Sequence, residues 1–191
     1  QSDQAVVNNE KLEVVAEFRG PMPTGVTVAK TGRIFVNFPR WGDPVELFNG
    51  RDLTGWKKRN ASSADGWEVR DGLLTNAKPG NDLISEREFT DFKLRAVFRY
   101  PKGSNSGIYL RGRYEVQILD DYGKEPSVGS SAAVYGCIKP LSNAVHPPEE
   151  WNVCEIELVG RFVTITLNGE TVIPRTEIPG ITGGALDSAE G

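Results

Sequence analysis

Residues 105–120 alternate between apolar and polar side chains, and this pattern constrains the fold more than any other part of the chain. Even positions are mostly apolar, whereas odd positions carry an aromatic ring, two guanidinium groups, a carboxylate and an amide. Because successive side chains of a strand point to opposite faces, the pattern predicts a strand, or two strands split near Gly112, with one face in a core. The other face offers groups suited to a polyhydroxylated ligand, namely Tyr109, Arg111, Arg113, Glu115 and Gln117.

Composition supports a small all-β domain. The 191 residues suit one domain with an appendage, and the 21 glycines and 12 prolines indicate many turns. A net charge of −4 argues against a nucleic-acid binder, and no apolar run reaches the length of a membrane span. No signal peptide is visible, but Gln1 is compatible with one that has been removed, so we expect a periplasmic or secreted protein.

Strand and turn patterns continue along the chain with almost no helical periodicity. The pairs Asp71-Gly72 and Asn168-Gly169 each predict a two-residue hairpin turn. Residues 121–131 and 141–150 read as loops. The strands predicted from alternation and from the hairpins are 34–38, 67–70, 73–75, 92–100, 151–159, 162–167 and 170–173. Short strands with this turn spacing indicate a β-sandwich.

Several motifs in order resemble one known family. They are Leu47–Trp56, Trp67–Leu74, Asp91–Arg95, Asn105–Asp120, Glu150–Asn152 and Leu167–Gly169. Together they are similar to the 3-keto-disaccharide hydrolase family, formerly a domain of unknown function, whose members have a concanavalin A-like jelly-roll sandwich. The resemblance implies a jelly-roll domain over residues 45–191 and leaves residues 1–44 as a strand-containing extension.

The two ends of the chain depart from the family pattern. Residues 12–43 are similar to the first blade of a royal-jelly/yellow-type β-propeller, and one blade cannot bury its own faces. Residues 183–187 resemble the loop before the family's closing strands, and we expect a jelly roll that lacks those strands. A jelly roll without them exposes strand edges, so our hypothesis is that residues 26–38 pair into the sandwich, in the same chain or in a strand-swapped homodimer.

The resemblance also implies a chemistry. A ketone at C3 of a sugar acidifies the C2 proton, so a base can remove that proton and the glycosidic oxygen can leave by β-elimination before water adds. Glu115 is the expected base or acid, and Arg111 the expected stabiliser of the enolate oxygen. Asp120 or His146 would be the second proton carrier, and Asn105 and Gln117 would orient sugar hydroxyls.

Other interpretations remain open at this point. Glu115, Gln117 and Asp120 resemble in spacing the catalytic strand of jelly-roll endo-glucanases, which would make the protein a retaining glycosidase. A non-catalytic carbohydrate-binding module on the same fold is the other alternative. Glu115 could instead form a structural ion pair with Arg111 or Arg113, and His146 could be an ordinary exposed loop residue.

The remaining candidates concern substrate contacts, metals and cysteines. For Trp151 we expect either a ring that stacks on a sugar or a ring that packs in the core. For Asn152 we expect either a contact to the sugar or a hydrogen bond within a turn. The full set of expected substrate-binding residues is Asn105, Tyr109, Arg113, Gln117, Tyr135, Trp151 and Asn152. No metal-ligand set is apparent, although Asp82 or the Asp120-Asp121 pair could hold a structural Ca²⁺ or other divalent ion. Cys137 and Cys154 predict either two small buried side chains or one disulfide.

Overall fold

The computed structural model describes residues 25–28, 34–37, 45–62, 66–78 and 80–186. The chain divides into two compact units, Gln1–Val45 and Glu46–Gly191. In the first unit, β1 (Gly25–Val28) pairs antiparallel with β2 (Ile34–Asn37). Residues 29–33 and 38 lie outside the described part, as does most of the propeller-like stretch. The hypothesis that residues 26–38 complete the sandwich therefore stays a prediction.

The second unit consists of antiparallel strands joined by turns and loops. Its strands are β3 (Trp56–Lys58), β4 (Trp67–Arg70), β5 (Leu73–Asn76), β6 (Leu83–Ser85), β7 (Phe92–Phe98), β8 (Asn105–Leu110), β9 (Tyr114–Leu119), β10 (Asn152–Val159), β11 (Phe162–Leu167) and β12 (Glu170–Glu177). The described residues contain no helix of the length and apolarity that a membrane crossing requires. The predicted all-β class is confirmed.

One layer is a four-stranded sheet in the order β12-β11-β10-β7. In β10 the inward side chains Cys154, Ile156 and Leu158 are almost fully buried, while Glu155 between them is exposed. This period of two is what places one face of a strand in a core. Pro174 lies in β12, an edge strand, where a missing backbone N–H costs no ladder bond.

The facing layer contains the β8–β9 hairpin. Leu110, Tyr114 and Val116 point inward with 1% of their surface exposed, and they join the side chains of β10, β11 and β12 in one hydrophobic core. Burial of each such side chain stabilises the fold by roughly 1.5–3 kcal/mol. The core therefore sits between the two layers, as in a concanavalin A-like β-sandwich, and the odd-numbered side chains of β9 face away from it.

The hairpin turns follow the sequence signals. Asp71 and Gly72 have φ values of 52° and 78°, and Asn168 and Gly169 have values of 52° and 84°. Two consecutive positive φ angles define the type I′ turn that Asp-Gly and Asn-Gly favour. The Asn168 side chain is also engaged, because Oδ1 accepts from the Val153 amide at 2.8 Å and Nδ2 donates to the Ala144 carbonyl at 2.8 Å.

Both cysteines are free thiols, so the disulfide alternative is not realised. Cys154 is 2% exposed and packs in the core. Burial, which penalises the thiolate, raises the pKa of its thiol to about 12. Cys154 is therefore an inert packing residue, as the first of the two interpretations had it.

Candidate functional site

A carboxylate lies on the outer face of the β8–β9 hairpin. Glu115 stands in β9, and its side chain lies over Gly107 of β8: a Cβ atom at position 107 would come within 2.4 Å of Glu115 Oε1. Gly107 has no positive φ angle, so what the glycine contributes here is space rather than an unusual backbone conformation. The missing side chain provides the room in which the carboxylate rests.

Tyr109 is the direct partner of this carboxylate. Tyr109 and Glu115 are opposite each other in the β8–β9 register, and the Tyr109 hydroxyl lies 2.9 Å from Glu115 Oε2. The same hydroxyl contacts the Gly183 carbonyl. Burial, and then the hydrogen bond to Glu115, raise the pKa of Tyr109 to about 12. At neutral pH the phenol is therefore a protonated donor beside a carboxylate.

The backbone of β9 is hydrogen-bonded, on the edge that does not pair with β8, at Glu115 and at Gln117. The Glu115 amide donates to Thr182 Oγ1 at 2.9 Å, and its carbonyl accepts from the Tyr135 amide at 2.9 Å. Two residues further on, the Gln117 amide donates to the Ala133 carbonyl at 3.0 Å. These bonds fix the backbone that carries Glu115, which is what a reactive group needs in order to be held in position.

A second charged pair borders the site, and the sequence analysis did not single it out. Arg59 follows β3 and Asp82 precedes β6; their backbones bond at 2.9 Å, and Arg59 Nη1 lies 3.0 Å from Asp82 Oδ2. The charges of Asp82 and Arg59 both act on the pKa of Tyr109, in opposite directions. Asp82 was expected only as a possible ligand of a structural cation, and Arg59 was not expected in any role. Neither residue lies in an alternating pattern or near the 105–120 block in sequence, so no local signal linked them to this site.

A segment that we call the strap, Thr182–Leu186, crosses the same place. Its ends bond to the β8–β9 turn through the Thr182 amide to the Arg113 carbonyl at 3.0 Å and the Leu186 amide to the Gly112 carbonyl at 2.7 Å. Between them, Arg59 donates to the Gly184 carbonyl at 2.9 Å and to the Ala185 carbonyl at 3.3 Å. The strap thus brings Arg59 to the side of the Tyr109–Glu115 pair.

The expectation that Arg111 shares the face of Glu115 is wrong. Arg111 lies in the turn after β8 with φ 53°, and its Nε donates to the Thr90 carbonyl at 2.6 Å while Nη2 pairs with Asp91 at 3.2 Å. Strict alternation fails here because a left-handed residue reverses the direction in which the side chain leaves the strand. Arg111 connects the hairpin to the residues just before β7. It therefore does not form the structural ion pair with Glu115 that was the alternative interpretation.

Asp120 and His146 lie at the other end of the sandwich. Asp120 Oδ2 accepts from the Gly103 amide at 2.7 Å, and five strand steps of about 3.3 Å separate its backbone from Glu115 by roughly 16 Å. The charge of Asp120 also acts on the pKa of Tyr100, whose hydroxyl donates to the His146 carbonyl at 2.6 Å. The structure therefore groups both candidates around Tyr100 rather than around Tyr109 and Glu115.

The predicted substrate-binding residues divide between the two ends. Tyr135 is 42% exposed beside Glu115, and Gln117 is 4% exposed with Oε1 accepting from the Ile118 amide at 3.1 Å. Asn105 is exposed at the start of β8, opposite Leu119 and therefore at the Asp120 end of the hairpin. Trp151 is 46% exposed at the His146 end, with Arg99 Cζ 5.1 Å from its ring centroid.

Asn152 does not reach the surface. It is 0% exposed; its Oδ1 accepts from the His146 amide at 2.9 Å and from Asn168 Nδ2 at 2.8 Å, and its Nδ2 donates to the Glu150 carbonyl at 3.1 Å. A fully buried and bonded amide cannot contact a sugar in this structure. Of the two interpretations of Asn152, the placement supports the loop-bonding one.

Metal ligands are not grouped in the part of the chain that the structure describes. There, no three His, Cys, Asp or Glu side chains converge as a cation site would require. The three carboxylates expected as possible metal ligands have other partners. Asp82 pairs with Arg59, Asp120 accepts from the Gly103 amide at 2.7 Å, and Asp121 accepts from the Ser131 amide at 3.0 Å and hydroxyl at 2.7 Å.

Comparison with known proteins extends this picture. Residues 43–190 match the family model described as the 3-keto-alpha-glucoside-1,2-lyase-like domain. A curated 3-keto-disaccharide hydrolase of Bacteroides thetaiotaomicron is 24% identical over 165 residues, which are 68% of this chain and 57% of the relative. The match thus spans little more than half of that relative's length.

Two solved structures from Parabacteroides distasonis, both provisionally assigned as glycosyl hydrolases, are similar to the chain. One is 30% identical with a TM-score of 0.64, and the alignment covers 92% of this chain and 84% of that one. The other is 26% identical with a TM-score of 0.56, covering 66% and 69%.

Proposed function

Because this chain belongs to the 3-keto-alpha-glucoside-1,2-lyase-like family, we propose that it cleaves the glycosidic bond of a glycoside whose sugar ring carries a ketone at C3. The names of its relatives support hydrolase-like activity at the level of the family. The observation that carries the proposal is the Tyr109–Glu115 pair, a carboxylate and a phenol 2.9 Å apart on one sheet face.

The pair supplies what an elimination needs. Glu115 takes the C2 proton, and the electrons of the C2–H bond form an enolate with the C3 oxygen. The enolate collapses to the ketone, a C1–C2 double bond forms, and the C1–O bond breaks. Tyr109, a protonated phenol within reach of the carboxylate, donates a hydrogen bond and then a proton to the leaving oxygen. Water adds across C1–C2, so that the net reaction is hydrolysis.

Substrate contacts follow from exposure around the pair. Tyr135 offers an open ring whose backbone is bonded to that of Glu115, and aromatic faces stack on the apolar faces of sugars. Asn105 lies opposite Leu119, four strand steps or about 13 Å along the hairpin from the Tyr109–Glu115 pair, so it is too far away to contact the same ring. We assign the binding of the sugar ring to Tyr135 and leave Asn152 to the structure of its loop.

The proposal is tested on the 3-keto derivative of sucrose, an α-glucoside, with sucrose itself as the comparison. The expected result is cleavage of the 3-keto sugar only. In deuterium oxide, elimination followed by hydration places deuterium at C2 of the released 3-keto-glucose, whereas direct displacement at C1 leaves C2 unlabelled. Free 3-keto-glucose incubated alone corrects for exchange without enzyme. Cleavage without C2 label would overturn the mechanism.

A non-catalytic sugar-binding role is the second candidate, because Tyr135 and Trp151 are both large exposed aromatic side chains. This role predicts binding without turnover and no special effect of Glu115 on rate. The endo-glucanase-like alternative gains no support from the geometry, since its second acid would be Asp120, whose carboxylate is bound to the Gly103 amide.

A further inference from the structure

The guanidinium group of Arg59 is held in a defined orientation. Its Nη1 is 3.0 Å from Asp82 Oδ2, and the Arg59 amide bonds to the Asp82 carbonyl at 2.9 Å. Backbone and side chain of the two residues are thus linked at once, which reduces the freedom of the arginine more than a surface ion pair alone would. The Arg59 side chain as a whole keeps 37% of its surface exposed to solvent.

The strap shows how close this guanidinium is to the reactive pair. Tyr109 contacts the carbonyl of Gly183, and Arg59 donates to the carbonyls of the next two residues, Gly184 and Ala185. The three carbonyls belong to consecutive residues, and the charge of Arg59 acts on the pKa of Tyr109. The guanidinium group and the phenol are therefore near each other.

The proposed elimination creates a need for such a group. Removal of a proton by the Glu115 carboxylate places negative charge on the C3 oxygen of the sugar. A positive group must lie near that oxygen to stabilise the enolate, and a planar guanidinium with several N–H donors suits an oxygen anion. Arg111, the residue expected for this role, is bound to Thr90 and Asp91 instead.

We propose that Arg59 is the substrate-binding cation of the Glu115 site, where its guanidinium binds the C3 oxygen of the sugar and Asp82 orients it. The inference rests on the proposed function and names the residue that stabilises the enolate. The strap carbonyls engage Arg59 through the same type of acceptor, a carbonyl oxygen, that a 3-keto sugar offers.

The test compares Arg59→Ala, Arg59→Lys and the control Arg51→Ala, an exposed arginine of a neighbouring loop. Turnover of 3-keto-sucrose and its binding by calorimetry are both measured. Loss of one preorganised donor group costs about 10²–10³ in kcat. We expect that loss for Arg59→Ala, partial restoration by added guanidinium ions below denaturing concentrations, and an intermediate rate for Arg59→Lys. Arg51→Ala should match the wild type.

Each result decides the matter. If the wild type cleaves the sugar and Arg59→Ala is within twofold of it, or is slow without any rescue by guanidinium, Arg59 does not have this role and the proposed function stands. If the wild type binds 3-keto-sucrose without cleaving it and Arg59→Ala loses the binding, Arg59 is a sugar-binding cation, and both the reaction and the enolate-stabilising role are overturned. A wild type that neither binds nor cleaves the sugar overturns both.

Discussion

The hydroxyl of Tyr109 lies 2.9 Å from Oε2 of Glu115, and the two residues are direct cross-strand neighbours in the β8–β9 hairpin. Both side chains therefore depend on the register of a single hairpin, whose inner face is locked by Leu110, Tyr114 and Val116 in the core. A slip of one residue would turn the whole pair into the apolar layer. The packing of the even positions is thus what keeps the odd positions in place.

Glu115→Gln should lower kcat by about 10² or more, since a general base contributes that much, while affinity for 3-keto-sucrose remains within a few-fold. Steady-state kinetics and calorimetry measure the two quantities. Glu155→Gln is the matched control, because Glu155 is exposed on the outer face of β10. A protein that only binds sugars would show no difference in rate between the two variants.

Gly107→Ala should remove activity while the protein stays folded. The new Cβ would meet Glu115 Oε1 at 2.4 Å, and the flexible carboxylate would move away from Tyr109 to relieve the contact. Gly129→Ala serves as the control, since its Cβ would meet only ordinary contacts of 3.8 Å or more. Thermal unfolding and kcat are measured for both. Full activity in Gly107→Ala would show that the resting place of the carboxylate is unimportant.

Tyr109→Phe should make stability less sensitive to alkali. The pKa of Tyr109 is raised from 10.0 to about 12, so the protonated phenol stabilises the fold below pH 10, and this contribution is lost as the pH rises through about 12. The stability difference between wild type and Tyr109→Phe should therefore shrink between pH 10 and pH 12, as measured by urea unfolding. The pKa of Tyr100 is also raised to about 12, but Tyr100 is present in both proteins, so its contribution cancels in the stability difference. A constant difference over this window would contradict the expectation.

Asn152→Ala should destabilise the protein without changing sugar affinity. The substitution removes a buried amide that bonds to His146, Asn168 and Glu150, and unsatisfied buried partners cost about 1–3 kcal/mol each. Urea unfolding gives the free energy of unfolding, and calorimetry with 3-keto-sucrose gives the affinity. Asn105→Ala, at an exposed position, should leave stability nearly unchanged. Weaker sugar binding by a fully stable Asn152→Ala would restore the substrate-contact interpretation.

Local patterns predicted most of the strands but only part of the site. The alternation of residues 92–98 and 114–119 appears as β7 and β9, and both two-residue turns form where Asp-Gly and Asn-Gly occur. These features depend on neighbours in sequence. The position of Glu115 on the outer face of the hairpin was predicted in the same way, from the alternation of side chains along β9.

Arg111 and Arg59 show where such reasoning ends. The alternation of side chains along a strand predicted that Arg111 lies on the same face as Glu115. The positive φ of Arg111 in the turn instead directs its guanidinium group to Asp91. Arg59 reaches the site only by folding, because its bond to the Gly184 carbonyl joins residues 125 positions apart in sequence. Similarly, the burial of Asn152 comes from the loops around it and not from any pattern in its own strand.

The turn between β11 and β12 also bears on how the protein ages. In an Asn-Gly sequence the glycine nitrogen readily attacks the asparagine side chain, and the amide is lost through a succinimide. Here the Asn168 amide is held by the Val153 amide, the Ala144 carbonyl and Asn152, so it is not free to turn toward the nitrogen of Gly169. The folded protein thus protects a labile amide, and conversion of Asn168 to aspartate or isoaspartate would record how often this corner of the sandwich opens.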